Sequence, residues 1–182
     1  MKNNMTAADL RSAFGGESMA HMRYLVWGGD AKRKGFPNVA RLFEAVAWAE
    51  QVHADNHFRA LGEVQGDFLV ASMGGFGMGT VQEHLEWAKA GEDFEIHEMY
   101  PAYYAVAELQ NEKEAMRSIR FALEAEKNHS DLFGKAAALV AEGKDYLDVP
   151  IQVCPICGHT VEGEAPERCP ICGAKKERFR AF

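Results

Sequence analysis

Apolar residues recur at alternating three- and four-residue spacings along four stretches of the chain, the period of a helix that buries one face. The first stretch spans about 6–33 and carries Leu10, Ala13, Ala20, Tyr24 and Trp27 on its stripe. Thr6 with Asp9 reads as a variant capping box at its start, and Gly28-Gly29, followed by Lys32-Arg33-Lys34-Gly35, as the fading of the helix. Pro37 opens a second stripe that runs through Phe43 and Val46 to about Leu61-Gly62. The third begins at Thr80, capped with Glu83, and ends near Asn111, a residue that tolerates left-handed backbone. Pro101 lies inside it and lacks an N–H, which predicts a kink or a local backbone defect. The fourth runs from about Glu112 to Gly143. Between the second and third, residues 66–79 hold five glycines and no helical stripe, as a long crossover between two helical pairs would. The predicted fold is mainly α: a four-helix bundle over 1–145, then a turn-rich module over 146–182, joined by a linker at 145–150.

Each stripe passes through acid near its middle. The first contains Glu17, the second Glu50 and His53, the third Glu92 and Glu95, the fourth Glu126 and His129. Five carboxylates aimed at one axis would lose hydration and repel one another, so a polyvalent cation is needed to reconcile them. The spacing sharpens this. Glu17 precedes Glu50 by 33 residues and Glu92 precedes Glu126 by 34, and Glu50 and Glu126 are each followed three residues on by His. Tyr24 and Tyr100 follow Glu17 and Glu92 at seven and eight. Two helical hairpins would therefore present matched Glu and Glu-x-x-His sets about a pseudo-two-fold axis, which suits two metals. Carboxylate oxygen with imidazole favours iron or manganese over a thiolate-seeking ion.

The module has its own chemistry. All four cysteines of the chain lie in its last 29 residues, as Cys154-Pro-Ile-Cys157-Gly and Cys169-Pro-Ile-Cys172-Gly. Two such knuckles make a four-thiolate metal site rather than a disulfide framework, and the metal staples a segment too short to fold alone. Spacing leaves zinc and iron both open.

Composition narrows the field further. The formal charge of −7 argues against nucleic acid. No apolar run approaches the ~20 residues of a membrane span, and the start lacks a signal core, so a cytoplasmic protein is expected.

With these elements assembled, the chain resembles the rubrerythrins over nearly its whole length: Glu17 with Tyr24, Glu50-Gln-Val-His53, Gly91-Glu92-Asp-Phe-Glu95 leading to Met99-Tyr100-Pro101, Glu126-Lys-Asn-His129, and the rubredoxin-like pair of knuckles. The resemblance implies a ferritin-like bundle with two non-haem irons and one iron on Cys154, Cys157, Cys169 and Cys172, with zinc as a possible substitute. It implies bridging by Glu50 and Glu126, terminal ligation by Glu17 and Glu92, His129 on the second iron, and an exchange between His53 and Glu95 on the first. Tyr24 and Tyr100 become hydrogen-bond donors to the carboxylates. The implied activity is peroxidase: hydrogen peroxide reduced to water in oxidative-stress defence, with electrons from an NAD(P)H-linked reductase through the rubredoxin-like iron. The alternatives are a ferroxidase or iron-handling protein, and a bundle bearing a structural zinc ribbon. A homodimer or higher homo-oligomer is implied, with exchange of helical pairs between subunits as one form of it. The module is expected roughly 20 Å or more from the bundle site along the axis, so a head-to-tail dimer would bring one subunit's cysteines over the other's irons.

Other residues read plainly. His21 is a boundary residue, His57 a hydrogen-bonded core histidine, and His84, His97 and His159 are solvated. Trp27, Trp48, Trp87 and the methionines serve packing.

Overall fold

The computed structural model describes all residues, 1–182. Helices α1 (Asn4–Arg33) and α2 (Pro37–Ala60) form the first hairpin. The third rod is α3 (Val81–Phe94), a π turn over Glu95–Met99, and α4 (Tyr100–Leu109); α5 (Lys113–Ala141) is the fourth. No helix is long and apolar enough to cross a membrane.

Two local expectations at the first helix fail for tertiary reasons. Thr6 does not cap α1: the helix starts two residues earlier, and the Thr6 N–H and hydroxyl both donate to Gln110 Oε1, at 3.1 and 2.6 Å. Glu112 Oε1 accepts from the N–H groups of Lys2 and Asn3. The turn before α5 thus supplies the acceptors that a local cap would have provided. Gly28-Gly29 does not fray the helix either. A Cβ at Gly28 would lie 3.0 Å from Phe43 Cβ and 3.3 Å from Ala40 O, so the glycine permits a close approach of α1 to α2 there.

Elsewhere the local signals hold. Thr80 and Glu83 form a reciprocal capping box. Asn111 has φ 54°, and the bonds Glu112 N–H to Ala107 O and Asn111 N–H to Glu108 O close a Schellman motif. Pro101 cannot donate to the carbonyl of His97, and the rod accommodates the loss as a π turn beginning at Glu95.

The crossover, residues 66–79, has no regular structure and lies along α1 as a strap. Ser12 Oγ donates to Ala71 O, Trp27 Nε1 to Gly77 O and Lys34 Nζ to Gly79 O. The strap's end is pinned by His84, whose Nε2 accepts from Gly79 N–H at 2.8 Å while its ring stacks on Trp27. His84 is therefore fully buried, not solvated; His97 is exposed as expected.

The hydrophobic interior is in two parts. One cluster is built on Trp27, Leu42, Phe43, Leu85 and Phe133, the other on Leu10, Leu61, Ala115 and Ile119. The polar layer that carries the site lies between them.

The module is a three-stranded antiparallel sheet of order β2-β1-β3, with β1 (Ile151–Val153), β2 (Thr160–Glu162) and β3 (Arg180–Ala181). It does not hang away from the bundle. Asp145 accepts from the N–H groups of Asn38 and Val39 at the start of α2, the buried Tyr146 continues the larger core cluster, and β1 and β2 pack on α2 and α5. His159, expected in solvent, is buried with Nδ1 3.0 Å from Asn128 Oδ1 on α5. Apolar surface on Ile151, Val153 and Tyr146 draws the module against the flank of the bundle, an attraction that the linker's sequence does not advertise.

Candidate metal centres

Two overlapping groups of four donors occupy the polar layer: Glu17, Glu50, His53 and Glu126, and Glu50, Glu92, Glu126 and His129. Within each group the donor atoms lie within 4.8 Å of one another, and every member is buried. Glu50 and Glu126 belong to both. Each turns one oxygen to each histidine: Glu50 Oε2 is 3.0 Å from His53 Nδ1 and Oε1 is 3.4 Å from His129 Nδ1. Glu126 Oε1 and Oε2 lie 2.7 and 2.6 Å from the same two nitrogens.

The layer is chemically incomplete as protein alone. Glu17 Oε2, Glu50 Oε1 and Glu126 Oε1 are buried without a hydrogen-bond partner, the last lying near His53 but out of alignment with it. Burial, and then the neighbouring carboxylates, holds Glu17, Glu92 and Glu95 well above the ordinary carboxyl range. Burial also raises Glu50 and Glu126, but the charges and hydrogen bonds of His53 and His129 outweigh it and leave both lowered. His129 is correspondingly raised to about 9: burial opposes this, and Glu126 overcomes it. Unpartnered lone pairs on convergent carboxylates are the donor set that hard multivalent cations require.

The outer nitrogens of both histidines face the module. His53 Nε2 lies 3.1 Å from Cys157 O, and His129 Nε2 lies 2.9 Å from Thr160 Oγ1 and 3.3 Å from Gly158 O. With Nε2–H donating to these oxygens, Nδ1 is the nitrogen each ring turns into the carboxylate layer: it donates to Glu50 and Glu126 in the metal-free protein and would become a ligand once a metal displaces that proton.

Both tyrosines meet carboxylates across the bundle. Tyr24 OH donates to Glu92 Oε1 at 2.5 Å, and Tyr100 OH donates to Glu17 Oε1. Tyr100 also accepts from His57 Nε2 at 2.9 Å, and His57 Nδ1 accepts from Ser118 Oγ at 2.8 Å. Burial, with His53 adding to it, lowers His57 to about 3, so the ring is neutral in this chain of hydrogen bonds. Glu95 stands outside both groups of four, on a cleft between the strap and the bundle.

Four sulfurs form the other centre. Cys154, Cys157, Cys169 and Cys172 lie within 4.8 Å of one another, with Cys154–Cys172 and Cys157–Cys169 sulfurs 3.5 Å apart. A disulfide needs about 2.05 Å. A tetrahedral ion with bonds of about 2.3 Å has sulfur–sulfur edges of roughly 3.8 Å, which this arrangement brackets. Cys154 is pulled down to about 5, first by the Cys157 thiol and, against the effect of burial, by the backbone N–H groups of Ile156 and Cys157.

The sequence model of the rubrerythrin family matches residues 9–137, and that of the rubrerythrin rubredoxin-like domain matches 152–180. The chain belongs to the rubrerythrin family. Rubrerythrin-2 of Clostridium acetobutylicum is 49% identical over 182 residues, spanning 100% of this chain and 99% of that protein. Nigerythrin of Nitratidesulfovibrio vulgaris is 30% identical over 177 residues, spanning 97% and 86%. A solved structure of fully reduced, all-ferrous nigerythrin superposes with TM-score 0.87 at 29% identity, covering 97% of this chain and 86% of that one. The donor sets fit the centres of a rubrerythrin: a carboxylate and histidine site for two non-haem irons in a ferritin-like bundle, and a rubredoxin-like site for one iron on four cysteines.

Sequence patterns missed Ser118, Thr160 and the carbonyls of Cys157 and Gly158. Ser118 had a signal, being a polar residue between Ala115 and Ala122 on the inner face of α5. The backbone carbonyls had none.

Proposed function

We propose that the protein is a non-haem di-iron peroxidase that reduces hydrogen peroxide to water, with electrons from an NAD(P)H-linked reductase relayed through the four-cysteine iron, in cytoplasmic oxidative-stress defence. The observation that carries this reading is the contact between centres, His53 Nε2 to Cys157 O at 3.1 Å. It runs from a cysteine of one site to a donor of the other through one hydrogen bond. A ferroxidase gives electrons up and has no use for that inlet.

In this reading Glu50 and Glu126, which belong to both groups of four, would hold both irons. Glu17 and His53 complete one side and Glu92 and His129 the other, with Glu95 the alternative to His53. Two irons held there supply the two electrons that, with two protons, convert hydrogen peroxide to two waters. Tyr100 holds a proton at Oη between Glu17 and the His57–Ser118 chain, within reach of an oxygen bound beside Glu17. The two apolar clusters border the layer, and the Tyr100–His57–Ser118 chain offers protons a path through side chains on the face away from the cleft at Glu95. Because the module meets the bundle of its own chain, no dimer is needed to join the centres. A homodimer that exchanges helical pairs or modules would make the same contacts between subunits.

The test uses iron-loaded protein under anaerobic conditions with reductase, NAD(P)H and hydrogen peroxide. Cofactor oxidation should track peroxide loss, and faster uptake of ferrous ion with oxygen would support the ferroxidase instead. A pair of variants tests the inlet. Gly158 and Gly173 occupy matching knuckle positions at φ 78° and 77°, but only at Gly158 would a Cβ run into the His53 ring. Gly158→Ala should slow reoxidation of the four-cysteine iron by peroxide about tenfold or more, while Gly173→Ala, equally strained, leaves it nearly unchanged.

A further inference from the structure

The cleft that reaches Glu95 is far larger than hydrogen peroxide requires. It encloses about 1030 Å³ between the strap and helices α1, α3 and α4, at the upper end of small-molecule sites, whereas a water-sized molecule occupies about 30 Å³. Glu95, Met99 and Tyr103 are among its lining residues, and Glu95 is close enough to the bundle site for its charge to act on Glu17. Its walls are mainly apolar, with Trp27, Trp87 and Phe76 among them. A second apolar groove of about 410 Å³ continues outward from it and shares Arg23, Trp27 and Phe76. Met19, Met22 and Met78 line that extension, with Met22 and Met78 59% exposed or nearly so. Thioether side chains of this kind adapt to ligands of varied shape. Arg23 is the one cation on the lining of either cavity. It stacks over the rings of Tyr24 and Trp27 and makes no ion pair, leaving its N–H groups available to peroxide oxygens.

Resting on the peroxidase reading, we propose that this cleft admits organic hydroperoxides with an apolar body, the O–O group held between Arg23 and Glu95 and the organic group among the aromatic and methionine side chains. The reaction is ROOH with two protons and two electrons to ROH and water. The O–O bond breaks, the distal oxygen leaves as water, and the electrons come through the cysteine centre as for hydrogen peroxide.

The experiment compares wild-type, Gly91→Leu and Ala90→Leu proteins, all iron-loaded. Both positions line the cleft from α3, and a Cβ at Gly91 meets nothing within 4 Å, so leucine fills the cleft without displacing a neighbour. The first readout needs no turnover: tryptophan fluorescence is titrated with cumyl alcohol, the product of cumene hydroperoxide. Wild type should show a saturable change through Trp27 and Trp87, and both leucine variants should need at least tenfold more alcohol. The second readout is kcat/KM. The leucine variants should lose at least tenfold with cumene hydroperoxide and less than twofold with hydrogen peroxide. An unsaturable or variant-independent fluorescence change overturns the proposal, as does an equal loss with both peroxides or a leucine effect that follows a change in oligomeric mass. Absence of hydrogen peroxide turnover in wild type would instead remove the peroxidase reading, while the alcohol titration still tests the cleft.

Discussion

Tyr24 and Tyr100 occupy corresponding positions in the two halves of the bundle, and each donates to the carboxylate that opens the opposite half. Behind them the halves diverge. Four residues after His53 stands His57, which joins Tyr100 to Ser118; four residues after His129 stands Phe133, whose ring meets Tyr24 edge-on at 5.2 Å. Phe43 and Trp27 complete an apolar wall around Tyr24. The carboxylate and histidine set is thus nearly symmetric while the hydrogen-bond chain behind it is one-sided. In the proposed peroxidase, near-symmetry in the donors would suit two similar ions, and the asymmetry behind them would place proton delivery on one side.

The largest expected effect tests the symmetric part. Because Glu50 and Glu126 each face both histidines, Glu50→Ala and Glu126→Ala should each empty the bundle of both irons, leaving one iron per chain in metal analysis and an intact four-thiolate absorbance. Retention of one bundle iron in either variant would break the bridging assignment.

Next comes the one-sided part. Tyr100→Phe should lower hydrogen peroxide turnover by about tenfold to a hundredfold with iron content unchanged, and Tyr24→Phe by only about twofold to threefold. Equal losses would mean that the His57–Ser118 chain is merely structural. His57→Phe gives both halves the same apolar backing, and a severalfold fall in kcat with KM unchanged should follow.

The smallest effect is on stability and concerns the metal-free protein. Glu17, Glu92 and Glu95 have raised folded-state pKa values, so they favour the fold when protonated. That contribution is complete below the unfolded carboxyl range and is lost as pH climbs through the raised values. Apoprotein melting should therefore fall as pH rises from about 5, the top of the unfolded carboxyl range, through neutrality. Iron compensates the same charges, so the gap between loaded and metal-free protein should widen over that interval by a few degrees; a constant gap would count against metal compensation.

Most of the bundle and nearly all of its donors were legible in the sequence, because burying a carboxylate on an apolar stripe is costly enough to leave a periodic trace. Thr80-x-x-Glu83, Pro101 and Asn111 were legible because they act within one turn of the backbone. The failures share a cause. Thr6 loses its cap to Gln110, Gly28 serves Phe43, and His84 and His159 are buried by the strap and by α5. Each depends on a partner distant in sequence. The docking of the module was hidden for the same reason: its decisive contacts are carbonyls of Cys157 and Gly158, which every residue possesses.

Anomalous scattering at the iron absorption edge, on crystals of protein purified without added metal, tests the central claim most directly. Two neighbouring peaks between Glu50 and Glu126, one beside His129, with a third among the four sulfurs, are the predicted result. A bundle with no peak there, its carboxylates joined by water alone, would contradict the account.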